Sequence, residues 1–68
     1  MNKEIATFKA VSALVSRAYR LNVTQPEFAK EDILAAKIVT STMSDDGLKE
    51  SLEIDIAEAE LYFQTRSA

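Results

Sequence analysis

The chain has no cysteine and no histidine. The first absence excludes disulfides. Together the two remove the ordinary zinc, haem and iron–sulfur ligand sets. They also remove the imidazole that would activate a nucleophile, so Ser12, Ser16, Ser41, Ser44, Ser51 and Ser67 have no base of the usual kind. No glycine-rich loop precedes a Lys-Ser or Lys-Thr pair, so nothing forms a phosphate cradle. Asp45, Asp46, Glu50 and Glu53 are close in sequence but lack the alternating spacing of a calcium loop. Catalysis, a cofactor, a metal and a small-molecule substrate are therefore not expected. There is one glycine and one proline, too few turn formers for a many-turned β fold. No apolar run approaches the length of about 18 residues that spans a bilayer, so a membrane is not an expected partner. Near the N-terminus Lys9 interrupts the apolar stretch that a signal peptide needs. With the cysteine-free composition, this points to a cytoplasmic protein.

The composition that remains is globular, with 47% hydrophobic and 28% charged residues, so a packed core is expected. Sixty-eight residues make one domain, 1–68. A chain this short buries only about 60% of its unfolded surface. Without disulfide or metal, self-association or docking on a larger partner is the remaining reinforcement.

Hydrophobic spacing predicts three helices, over about 3–21, 25–43 and 45–64. In the first, Asn2 is the expected N-cap and Ile5, Phe8, Val11, Val15, Ala18 and Tyr19 share a face. Thr24-Gln25-Pro26-Glu27 reads as a capping box, with Val23 and Phe28 as its hydrophobic staple. The second helix is expected to bury Phe28, Ala35, Ala36, Val39 and Met43, widened by Leu34 and Ile38. Ser44 is the expected cap of the third, with Asp45 and Asp46 in its first turn. Leu48, Leu52, Ile56, Ala59 and Phe63 form the main stripe of that helix, and Ile54, Ala57 and Leu61 a second stripe on the opposite side. The expected fold is thus all-α: a small three-helix bundle or helical-hairpin arrangement, completed by self-association.

Charge is unevenly spread. Residues 1–21 hold Lys3, Lys9, Arg17 and Arg20 against Glu4 alone. Residues 44–68 hold Asp45, Asp46, Glu50, Glu53, Asp55, Glu58 and Glu60 against Lys49 and Arg66. Such a division attracts within a chain or between copies. Asp32 and Asp55 interrupt apolar faces, where a carboxylate sits at a solvated edge or takes a partner; Arg17 and Arg20 are available.

These features predict a protein-interaction role: a small acidic helical regulator, inhibitor or adaptor of a larger protein, or a homo-oligomer, most simply a dimer. The expected contact surfaces are Ile54, Ala57 and Leu61, and a face of small and basic residues made by Ala6, Ala10, Ala13, Arg17 and Arg20. A DNA-binding regulator is the alternative. Over residues 14–34, Ala18, Leu21, Asn22, Val23, Thr24 and Phe28 resemble the helix-turn-helix pattern, which implies a recognition helix after Thr24. That helix would offer Glu27, Glu31 and Asp32 against Lys30, a balance that phosphates repel.

Overall fold

The computed structural model describes residues 3–67. It contains three helices packed on one another and, among the described residues, no strand: α1 (Lys3–Thr24), α2 (Pro26–Ser41) and α3 (Asp46–Ser67). They form a slender bundle with principal extents of 41 × 16 × 14 Å.

Contacts at both ends fix the up-down-up order. At one end, the carboxylate of Glu4 near the start of α1 accepts hydrogen bonds from the backbone N–H groups of Ser44 (2.8 Å) and Asp45 (2.6 Å), just before α3 begins. At the other, Tyr19 of α1 meets Tyr62 and Phe63 of α3 with ring centroids 5.2 and 5.3 Å apart. These tilted and edge-on arrangements are the favoured ones for aromatic pairs. α1 and α3 therefore run the same way, with α2 antiparallel to both.

The core is thin. Val11, Val15 and Ala18 of α1 meet Ala29, Ile33 and Ala36 of α2, Met43 after it, and Leu52, Ile56 and Ala59 of α3. Four of these ten are alanines, and the largest fully buried side chains are only Leu52 and Val11. Small residues bring the helix axes close but remove little apolar area from water. The main stripe expected for α3 is the one that faces inward, with Leu48 and Phe63 packed on it.

α2 departs most from expectation. Its buried side holds Ala29, Asp32, Ile33, Ala36 and Thr40, while Phe28 is 53%, Leu34 58% and Ile38 59% exposed. The helix is rolled so that these larger residues face out. Its apolar residues cover most of its circumference, so spacing alone could not choose between the two sides. The side that faces inward carries Asp32, whose carboxylate pairs with Arg17 of α1.

The caps also differ. α1 continues through Thr24, so Thr24 is not the N-cap of α2; Gln25 holds that position, with φ −141° and ψ 69°, and gives no side-chain cap. Val23 and Phe28 are both exposed and form no staple. At α3 the capping side chain is Asp45, whose Oδ1 accepts the Leu48 N–H at 3.0 Å, rather than Ser44. Ser44 instead gives its N–H and hydroxyl to Glu4. Gly47 lies inside α3 with ordinary negative φ. The expected cap Asn2 lies outside the described residues.

Candidate functional site

All the residues expected to make contact surfaces are exposed. Ile54 is 51% and Leu61 63% exposed on the outer side of α3, and Ala57 lies between them. Spacings of three and four put these on one face, opposite Leu52, Ile56 and Ala59. Ala6, Ala10, Ala13, Arg17 and Arg20 are exposed on the outer side of α1, opposite Val11, Val15 and Ala18. The fold does not unite the two surfaces: the alanines of the α1 face lie opposite Val11, Val15 and Ala18, and Arg17 turns toward α2 to reach Asp32.

Sequence reasoning missed the other half of the α3 surface, which comes from α2. An open groove runs between α2 and α3. At the end near the α1–α2 connection it has a volume of ≈ 750 Å³ and is lined by Pro26, Lys30, Ile33, Leu34, Lys37 and Phe63, among others. Toward the other end it continues as a smaller depression of ≈ 310 Å³, with Thr40, Ser41, Lys49, Glu53, Ile56 and Ala57 on its walls. Lys37 and Glu60 line both parts, and Lys37 Nζ reaches Glu60 Oε2 at 2.7 Å. Both side chains remain well exposed, so the bridge spans the groove like a strut at its mouth.

The rims are apolar beyond this strut. Leu34 lines the groove from α2, and Ile38 follows one turn on. Ala57 lines it from α3, and Ile54 and Leu61 stand on the same face. The sequence held one signal for this: Leu34 and Ile38 were surplus to the compact core set of α2. On the floor, Thr40 is 2% exposed and its hydroxyl has no hydrogen-bond partner.

Arg17 proves to be committed within the chain. Its Nε and Nη2 bind the two oxygens of Asp32 at 2.8 and 2.6 Å, the bidentate geometry that suits guanidinium and carboxylate. The Asp32 side chain is 7% exposed and that of Arg17 55%. The hydrogen bonds from Arg17 hold the Asp32 carboxyl below its ordinary value, against the opposing effect of burial. Asp55 has no such burial; it lines a shallow depression between α1 and α3 with Ser12, Ser16, Tyr19 and Glu58. Glu4 is likewise held below its ordinary value, first by the backbone N–H groups of Ser44 and Asp45.

Leu21, Asn22, Val23 and Thr24, the turn positions of the helix-turn-helix resemblance, are all helical. Asp32 of the would-be recognition helix faces α1 rather than a groove of DNA. Among the described residues no group of three or more histidine, cysteine or acidic side chains is placed to hold a metal ion, and no helix is long and apolar enough to cross a membrane. No protein-family model matches the chain, and no curated protein or solved structure matches it either.

Proposed function

We propose that this chain acts in the cytoplasm by binding another protein chain, as a regulator, inhibitor or adaptor, and that the α2/α3 face is where it binds. The observation that carries the reading is the pair of apolar rims. Four large aliphatic side chains, Leu34, Ile38, Ile54 and Leu61, each stand more than half exposed on the two helices that border one groove. Four of the ten core residues are alanines, while these four leucine- and isoleucine-sized side chains, as large as any aliphatic in the core, are turned outward. An exposed apolar patch rimmed by charge is the usual mark of a protein contact. A groove between two helices suits an amphipathic helix that lays its apolar face into it. Acidic composition and the lack of activating groups fit this role better than they fit catalysis or DNA binding.

Site-specific photo-cross-linking tests the reading. A photoreactive residue at Leu61 or Leu34, introduced into the full chain in cells, is expected to give a discrete covalent adduct with a polypeptide. The adduct is expected to disappear when Ile54→Asp is added. Absence of any discrete adduct from either position would refute the assignment of this face.

A further inference from the structure

We infer that the α2/α3 face is covered by the same face of a second copy of this chain, in a two-fold dimer with α2 of each copy lying over α3 of the other. The inference rests on the binding reading above and adds the identity of the partner.

Charge points to it first. The side of α2 that borders the groove presents Lys30 and Lys37 and no acid. The side of α3 that borders it presents Glu53 and Glu60, with Lys49 as the only base. One wall is basic and the other acidic. A partner that matches must bring an acidic helix over α2 and a basic helix over α3, side by side. The chain itself carries that pair, in that order, once it is turned about an axis along the groove.

Level points to it next. The Lys37–Glu60 bridge sets these two residues opposite each other, and α2 and α3 are antiparallel. Leu34 and Ile38 therefore bracket the same level on α2 that Ala57 and Leu61 bracket on α3. A two-fold axis parallel to the helices keeps every residue at its own level and exchanges left with right. It brings Leu34 and Ile38 of one copy over Ala57 and Leu61 of the other, apolar on apolar, twice. It also sets Lys37 over the second copy's Glu60, and Glu60 over its Lys37. Two internal bridges become four alternating charges around the axis. This contact is isologous and closes at two chains, so it gives a dimer and not a filament.

The test uses the purified chain and sedimentation equilibrium. The unsubstituted protein is expected to pass from the 7.5 kDa chain to twice that mass as concentration rises. Lys37→Glu alone and Glu60→Lys alone each break the internal bridge and set like charges across the interface. Each variant is expected to associate at least tenfold more weakly. Mixed in equal amounts they are expected to form a dimer again, because every facing pair is then opposite in sign. The internal bridge stays broken in both chains, so only a contact between copies can be restored this way.

Circular dichroism on each variant checks that the helices persist. If either unfolds, the cysteine-free background offers a second measurement. Ile38→Cys in one chain and Leu61→Cys in the other should form a mixed disulfide under mild oxidation, whereas Ala13→Cys with Leu61→Cys should not. A protein that stays monomeric at all concentrations, or a mixture that does not regain the dimer, overturns self-pairing. If the cross-link at Leu61 nevertheless captures a different polypeptide, the binding role stands and the occupant is that protein. If it captures nothing, both readings fall.

Discussion

Leu52 and Leu61 are the same residue type on the same helix, one fully buried and the other 63% exposed. Replacing each by alanine isolates what burial contributes at that position. Leu→Ala in a packed core costs about 2–5 kcal/mol, the removed atoms plus the cavity they leave. Leu52 belongs in that range, although its alanine neighbours let the helices close in and favour the lower half. Leu61→Ala removes a side chain that is mostly in water, and alanine is the better helix former, so the change is within about 0.5 kcal/mol. An unfolding entropy of about 2.1 cal/mol/K per residue makes 1 kcal/mol worth about 7 °C in a chain of this length. Leu52→Ala is thus expected to lower Tm by about 15 °C or more, and Leu61→Ala by about 3 °C or less. Thermal unfolding followed by far-UV circular dichroism at low concentration reads both. If association stabilises the fold, the loss at Leu61 grows with protein concentration while that at Leu52 does not, since a bound state adds stability by mass action. Equal losses at low concentration would show that α3 is rolled in solution and that the outer stripe is core.

Four further outcomes follow from the geometry. Arg17→Ala is expected to lower the urea midpoint more than Asp32→Ala, because the first strands a carboxylate that is 7% exposed and the second leaves a guanidinium that water already reaches; the reverse order would remove the buried pair from the account. Asp45→Ala is expected to cost about 1 kcal/mol in equilibrium denaturation as the loss of a helix cap, with Thr24→Ala near neutral. Gly47→Ala is expected to stabilise by about 0.4–1 kcal/mol in the same assay, since φ is negative and the added Cβ would meet Asp45 Oδ1 at an ordinary 3.5 Å. Glu4 and Asp32 are both held below their ordinary values of 4.5 and 3.8, so their contribution is complete above those values and drains away as pH falls through the lower folded-state ones; Tm should fall with acidification below about pH 4.5, and a Tm that rises there would contradict both contacts.

The inward stripe of α3 was legible because five large or medium apolar residues stand at helical spacing with charges between them. The α3 outer stripe was legible as a second apolar set at helical spacing, but spacing alone left open whether it completed the core or stayed outside it. α2 was not legible, because most sides of it are apolar, and its inward side includes a carboxylate, Asp32, that is partnered only by a residue fifteen positions away, Arg17. The capping box at Thr24 satisfied the local rule, yet α1 ran on through it. The N–H of Gln25 still bonds to the Leu21 carbonyl at 2.6 Å, which outcompetes a side-chain cap. The groove had no local signature either, since its walls come from two helices whose facing sides are known only once both are placed.

The junction at Gln25 has a consequence for topology. Its N–H closes the hydrogen-bond ladder of α1, and its carbonyl accepts from Phe28 and Ala29 to open that of α2. A single residue therefore belongs to both helices, and its backbone angles are all that separates a hairpin from one continuous rod. Pro26 decides between them. A residue before proline is pushed out of the helical region, and the proline ring has no N–H with which to continue a ladder. Without that ring, straightening would part α2 from α1 and leave both faces bare, each able to recover its contacts only from the matching helix of a neighbour. Pro26 thus favours the hairpin within one chain over exchange of helices between chains.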